Sequence, residues 1–420
     1  MSWLVGVAVL LAAGMAYAEE SSRSDFVVRP PGSLRPALEA IRHGSAGVAV
    51  PGIVVARWRA DAPLELAAAG CARFDPAGRE CVQALTPDAL LRVASISKLI
   101  VALATTRLAA RGALELDEDV STYLGFQLRN PAHPDVAITL RQLLSHVSSL
   151  RDGEIYWVPH PGTLADAFAN AEVFDASHPP GSYFAYANLN YGVIATVLER
   201  ATGLRFDRLM QREVFAPLRV RAAFNWSGLE DLDGAHVATL YRKQDAAGQW
   251  HPDGPWVAQV DDFDGHGPQA LVAWRDERAP PPTDYVIGTN GTLFAPQGGL
   301  RASIRTLVAI VAAALADGSL ERMAVPQWRL AADGSNGDDA DGLYRAYGLG
   351  LQLALPGGTV GHFGDAYGLK GGAIVDRIHG SGWFYLINGT ANAPEPGQGA
   401  WRGLDKVEIA VLEALAAPRQ

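Results

Sequence analysis

In 420 residues the chain carries 35 basic and 45 acidic side chains, a formal net charge of −10, and 49 % of its residues are hydrophobic. This is the composition of a globular protein rather than a disordered one. Only four basic residues are lysines, at positions 98, 243, 370 and 406, and neither charge forms a long run, which argues against nucleic acid or an anionic membrane surface as a main partner.

The apolar stretch from Trp3 to Ala18 is shorter than the ~20 residues that cross a bilayer and ends in Ala16-Tyr17-Ala18 before Glu19. It reads as a signal peptide covering residues 1–18, although its start carries no Lys or Arg. The mature chain is then expected in the periplasm or outside the cell, with no stable membrane insertion after cleavage. Glu19, not a cysteine, stands immediately after the cleavage point, and no later segment is long and apolar enough to span a membrane. Cys71 and Cys81, the only cysteines, flank the turn-like Asp75-Pro76-Ala77-Gly78, and a disulfide between them fits an oxidising compartment. The ten histidines form no metal-ligand spacing, so no metal and no cofactor are implied.

Strand-like runs come first, Val48 to Trp58 and Leu64 to Phe74. From Ser95 the pattern turns helical, with Ile96, Leu99, Ile100, Leu103 and Leu108 on one side and Gly112 as a stop. Thr139 and Gln142 predict a capping box, and a second helix spans Asn190 to Ala201 with its stop near Gly203. Between Trp226 and Gly291, Gly, Pro, Asp and Trp abound without periodicity, which predicts an elaborated loop. A helix over Ser303 to Leu315 precedes the polar stretch Ala331 to Gly342, and strand signals return at Tyr347 to Leu355, Gly372 to Asp376 and Trp383 to Asn388. A final helix covers Leu404 to Ala416. Strands at both ends with helices between them predict one sheet assembled from the two chain termini and carrying an inserted helical lobe.

Ser95 and Lys98 open the strongest helix. Residues three apart on a helix are surface neighbours, so the hydroxyl and the amine can meet, whereas the adjacent Ser97 cannot reach the lysine. The partial positive charge of a helix N-terminus disfavours a protonated lysine and stabilises a developing anion. On its own, Ser-x-x-Lys recurs on many solvated helices. Here the lysine sits inside the apolar run ALLRVASISKLIVALATTRLAARG. Downstream, Tyr186 and Asn188 stand two apart in an extended stretch and point the same way. A phenol can relay a proton to a leaving group, and an amide can hold a substrate carbonyl or orient the lysine. In isolation they would read as a packing aromatic and a helix cap.

With these residues in place the sequence resembles the penicillin-recognising serine hydrolases related to class C β-lactamases, DD-peptidases and their esterase and D-aminopeptidase relatives. TPDALLRVASISKLIVAL, GALELDEDVSTYLG, ITLRQLLSHVSSL, PPGSYFAYANLNYGVIATVLERATG, PQGGLRASIRTLVAI and GHFGDAYGLKGG occur in the family's order across most of Thr86 to Gly372. The resemblance implies an α/β (α+β) catalytic domain over 19–420: an antiparallel sheet flanked by helices in a lobe of about 27–112 and 297–420, a mostly helical lobe of about 113–296, and the site between them. It implies Ser95 as acylated nucleophile, Lys98 as its activating partner, Tyr186 as base or proton relay, and Asn188 as substrate-orienting residue. The family's third motif is commonly Lys-Thr-Gly. Its place here is taken by His362-Phe363-Gly364, with Lys370-Gly371-Gly372 as a rival placement, so His362, Gly364 and Asp365 are the expected substrate-binding residues. Backbone N–H groups of Ser95 and Asp365 would form the oxyanion hole. His146 falls in a family-like stretch and reads as a structural histidine at a helix end.

The function expected is a metal-free acyl-enzyme hydrolase of a small-molecule ester, amide or peptide-like substrate. The alternatives are a DD-peptidase or β-lactamase and, from another class, a catalytically silent binding or sensor module. A silent scaffold has no need of Ser95, Lys98 and Tyr186 together.

Overall fold

Two N-terminal runs of small and branched apolar residues form neighbouring long strands, β1 (Gly52–Arg59) and β2 (Ala62–Phe74). They belong to a computed structural model that describes residues 34–417 except 155, 170, 225, 227–228, 230–235 and 262–282. The expected signal peptide lies outside the described residues. β3 (Cys81–Ala84) follows, and the remaining strands come from the other end of the chain: β4 (Trp328–Arg329), β5 (Ala346–Tyr347), β6 (Gln352–Leu353), β7 (Val360–Ala366), β8 (Leu369–Asp376) and β9 (Ser381–Ile387). Their spatial order is β3-β2-β1-β9-β8-β7-β6-β5-β4. Neighbours run antiparallel, and β1 pairs with β9 from Ile53 opposite Ile387 to Arg59 opposite Ser381. The two chain ends therefore join in the middle of one sheet, as the sequence predicts.

Alternation along the strands assigns the two faces. Ile53, Val55, Ile374, Tyr385 and Ile387 pack with Leu38 of α1 (Leu34–Arg42) and with Val407, Val411 and Leu415 of a C-terminal helix (Lys406–Ala416). The intervening Val54, Ala56, Ala373, Val375, Phe384 and Leu386 face α2 (Ile96–Ala110) and a helix over Ile304–Ala316. Both faces are thus covered, and β1 is buried except at Arg59. The expected one-sided stripe on α2 is broader than its periodicity indicates: from Ile96 to Thr106 every residue is buried, because the helix runs between the sheet and the inserted lobe. Cys71 and Cys81 are bridged, with Cα atoms 5.7 Å apart, and tie β3 to β2.

The inserted region holds α3 (Leu189–Thr202), closed by Gly203 at φ +68°, and short helices at Leu140–Leu144 and Phe206–Met210. Short strands accompany these helices. Two three-stranded sheets pair the region's short strands with strands from the rest of the chain, one of Leu91–Arg92, Leu300–Ala302 and Ala222–Phe224, the other of Gly389–Thr390, Leu240–Arg242 and Val257–Val260. The segment from Trp226 to Gly291 read as loop because strands of three or four residues are too short for alternation to register. The strand expected over Tyr347 to Leu355 is a tight hairpin of β5 and β6, broken at Gly350, whose φ is +62°. Among the described residues no helix is long and apolar enough to cross a membrane.

Candidate active site

Ser95 is the N-cap of α2, and the preceding Ala94 is held at φ +47°, a conformation an L-residue adopts only at a cost. A serine at this position ordinarily spends its oxygen on a backbone N–H of the first turn. Here it makes no such bond, and the hydroxyl turns to Lys98 instead. Ser95 is half-buried, whereas Ile96, Ser97 and Lys98 are buried.

Lys98 Nζ lies 2.9 Å from Ser95 Oγ, 2.8 Å from Asn188 Oδ1 and 2.9 Å from the Gln297 carbonyl oxygen. Burial lowers its pKa to about 7, against a smaller opposing pull from the Asp152 carboxylate. A neutral amine has two N–H donors and one lone pair. The amide oxygen and the carbonyl can only accept, so they take both donors and leave the lone pair facing the Ser95 hydroxyl.

What fixes Asn188 is Asp152, which sequence reasoning missed. Asn188 Nδ2 donates to Asp152 Oδ2 at 2.8 Å, and the Leu189 N–H donates to Oδ1 at 2.9 Å. The carboxylate thereby caps α3 in place of Asn188, which makes no side-chain cap of its own, and holds the amide with its oxygen toward the lysine. Burial raises the Asp152 pKa while its bonds to Leu189 and Asn188 oppose the rise.

Tyr186 stacks on His146 and on Tyr344, with ring centroids 4.3 and 5.3 Å away, and Lys98 Nζ stands 4.8 Å from its own ring centroid. Burial, first among the causes and only partly opposed by the nearby Ser95 hydroxyl, raises the phenol well above its ordinary pKa. The two groups beside the serine are thus pushed apart: the amine is the base available at neutral pH and the phenol keeps its proton. His146, expected to be structural, is buried and accepts the Ala187 N–H at Nδ1 over 3.1 Å, which pins the segment joining Tyr186 to Asn188.

β7 supplies the opposite wall. A Cβ on Gly364 would fall 2.5 Å from the Val93 carbonyl oxygen, so only glycine lets this strand approach the turn that carries Ser95. Ser95, Tyr186, Tyr344, Phe363, Gly364 and Asp365 line a cleft of about 280 Å³. Among the described residues no cluster of His, Cys, Asp or Glu has the makings of a metal site.

The Beta-lactamase family model matches residues 39–408. The chain belongs to the β-lactamase family. It is 31 % identical over 249 residues to esterase EstB of Burkholderia gladioli, across 54 % of this chain and 59 % of that protein. To the D-alanyl-D-alanine-carboxypeptidase/endopeptidase AmpH of Escherichia coli K12 it is 26 % identical over 139 residues, across 32 % of this chain and 36 % of AmpH. The chain therefore matches less than two thirds of the length of either relative. Two solved structures share the fold: a D-stereospecific amidohydrolase from Streptomyces sp. (TM-score 0.60, 20 % identity, 92 % of this chain and 99 % of that one) and the D-amino acid amidase of Ochrobactrum anthropi SV3 with L-phenylalanine (0.62, 20 %, 90 % and 97 %).

Within this β-lactamase-family chain the third motif departs from expectation in geometry as well as in residue type. His362 is buried, with Nε2 2.9 Å from the Tyr347 hydroxyl and Nδ1 2.7 Å from the Phe363 carbonyl oxygen. The carbonyl must accept, so Nδ1 carries the proton and Nε2 accepts from the tyrosine. Both nitrogens expected to meet substrate are therefore occupied by protein atoms. Burial, reinforced by the nearby Lys98 charge, lowers the ring to a pKa of about 3. Lys370 also lines the cleft, but its Nζ is 2.7 Å from Asp365 Oδ2 and 4.0 Å from Asp405 Oδ2. Its charge is matched by neighbouring carboxylates.

Sequence reasoning also passed over Gln297, which acts through its main-chain carbonyl, a group identical in every residue. Asp152 left one faint signal, a carboxylate two residues past the family-like ITLRQLLSHVSSL run. Asp152→Ala frees the Asn188 amide to rotate and is expected to lower kcat/KM about ten- to hundredfold, the range of one hydrogen bond to a charged group. Asp152→Asn removes the charge that raises the Lys98 pKa, so the acidic limb of the pH–rate profile should move below its position near 7. A profile and rate unchanged in both variants would contradict this role.

Proposed function

We propose that the chain is a serine hydrolase that is acylated on Ser95 and cleaves an ester or small amide. The observation that carries this is the buried Lys98 amine, 2.9 Å from Ser95 Oγ, with its two remaining partners able only to accept. As Oγ attacks the substrate carbonyl carbon, its proton passes to Nζ and the carbonyl oxygen becomes an oxyanion. That charge develops at the N-terminus of α2, where the Ser95 N–H and, by family likeness, that of Asp365 are its donors. The proton then moves by way of the Tyr186 hydroxyl to the departing alkoxide or amine as the carbon–leaving-group bond breaks. Water repeats the sequence on the acyl-enzyme: Lys98 takes the water proton, the ester to Ser95 breaks, and Oγ recovers its proton. EstB is an esterase and AmpH a carboxypeptidase/endopeptidase by name, and both activities fit an acylated serine. We place the mature protein in the periplasm or outside the cell, on the strength of the apolar run ending at Ala18 and the Cys71–Cys81 bridge.

Ester chemistry is favoured over β-lactam or peptide C-terminal chemistry. A substrate carboxylate beside the scissile bond calls for a cation at the third motif. His362 is neutral there, Phe363 offers no hydroxyl, and Lys370 is already paired. The missing charge assistance is worth about 1–2 kcal/mol, roughly five- to thirtyfold. Offered p-nitrophenyl esters, D-amino-acid amides and a chromogenic cephalosporin, the mature protein is expected to turn over esters or small amides faster than the cephalosporin by at least that factor. Efficient cephalosporin turnover with esters left untouched would overturn the assignment.

A further inference from the structure

A second cavity of about 320 Å³ shares Leu343, Phe363 and Leu404 with the Ser95 cleft and extends over Leu355, Pro356 and Trp401. Phe363 meets Trp401 edge-on, with ring centroids 6.3 Å apart and planes at 85°. The residue that replaces the family's usual threonine therefore helps wall both spaces, and with Leu343 and Leu404 it makes their shared boundary apolar.

Two arginines, Arg345 and Arg402, line this second cavity. Both are exposed, and among the described residues neither guanidinium has a hydrogen bond or an ion pair. Many arginines elsewhere in the protein are held by carboxylates, as Arg141 is by Asp117, Arg151 by Asp175 and Arg301 by Asp261. Arg402 is also seated: a Cβ on Gly342, whose φ is +87°, would fall 2.1 Å from Arg402 Nε. The glycine leaves room for the guanidinium to lie against the backbone. Two unpaired cations beside one cavity, in a chain of net charge −10, make a local positive field that an anion entering the cavity would neutralise.

We propose that this cavity is a substrate subsite for an apolar arm ending in a carboxylate, distant from the bond that is cleaved. The inference rests on the Ser95 hydrolase assignment. It differs from recognition of a carboxylate beside the scissile bond, because the positive groups stand beyond Phe363. It names the substrate class as half-esters or amides of dicarboxylic acids, or esters of hydroxy acids, with a hydrocarbon spacer.

The test is a matched series: p-nitrophenyl acetate, mono-p-nitrophenyl suberate and its methyl-capped diester, then 7-acetoxyheptanoate and its methyl ester for the reverse orientation. In one orientation kcat/KM for the acid-terminated substrate should exceed that of its methyl-capped partner about tenfold at low salt, the size of one charge-assisted contact discounted for exposure. The ratio should shrink with added sodium chloride and fall to about one in the Arg345→Gln/Arg402→Gln variant, a comparison within each protein that cancels any loss of folded enzyme. As a readout independent of turnover, monomethyl suberate should perturb tryptophan fluorescence saturably in the unmodified protein and not in the double variant. Acetate turnover with no preference for the acid in either orientation would overturn the subsite and leave the hydrolase standing. Saturable binding without any ester turnover would support the subsite while removing the hydrolase assignment. Absence of both preference and binding would overturn the subsite outright.

Discussion

Ser95→Ala is expected to lower kcat/KM for the best ester by on the order of 10⁵-fold, because no group in the cleft replaces an attacking oxygen held by a base. The fold should survive, since the hydroxyl caps nothing. Ser97 is the informative control. Its Oγ is buried and accepts the Leu300 N–H at 3.1 Å, so Ser97→Ala leaves a buried donor unpaired at a cost of about 1–3 kcal/mol in stability. That variant should melt at a lower temperature and still turn over substrate. Circular dichroism melting curves beside initial rates for the two variants check the pair, and a Ser97→Ala protein that is folded but inactive would contradict the assignment.

The second large effect belongs to Lys98. Since the amine must be unprotonated to take the serine proton, and burial sets its pKa at about 7, kcat/KM should climb tenfold per pH unit below 7 and level off above it. Lys98→Met should lose the limb together with about 10²–10⁴-fold in rate, the usual range for a positioned base. Tyr186→Phe should keep the limb near 7 while lowering kcat, because the phenol is raised well above its ordinary value and does not titrate there. The same shift bears on stability. The folded-state pKa of Lys98 lies below the ordinary lysine value of 10.5, so at pH values below 10.5 the unfolded chain binds the proton more readily and the buried group opposes folding, most strongly at and below 7. Its contribution to stability therefore improves as pH rises from 7 toward 10.5. A pH–rate profile flat from 5 to 8 would contradict the role given to the amine.

Local features were the legible ones. Ser95 and Lys98 meet because three residues span one helical turn, a relation that needs no tertiary knowledge. The stops at Gly112 and Gly203 were readable because left-handed residues end helices there, at φ +70° and +68°. The sheet from both chain ends followed from where strand-like runs fall. The coupling across the fold was not legible. Asp152 reaches Asn188 from 36 positions away, and Gln297 contributes only a carbonyl 199 positions from Lys98. A histidine at position 362 announced a neutral group in the sequence, but its tie to the Tyr347 hydroxyl depends on the β5–β6 hairpin, which sequence alternation read as one continuous strand. The short strands at Leu240–Arg242 and Val257–Val260 exist because Gly389–Thr390, far along the chain, pairs beside the first of them.

Every rate effect expected above depends on covalent acylation of Ser95 with Lys98 as its base. The most direct measurement is intact-mass and peptide-mapping spectrometry of the mature protein after reaction with a fluorophosphonate probe, run in parallel on Ser95→Ala and Lys98→Met. One adduct per chain is predicted, on the peptide carrying Ser95, absent from Ser95→Ala and formed far more slowly in Lys98→Met. An adduct that persists on Ser95→Ala, or that maps to another residue in the unmodified chain, would contradict the account.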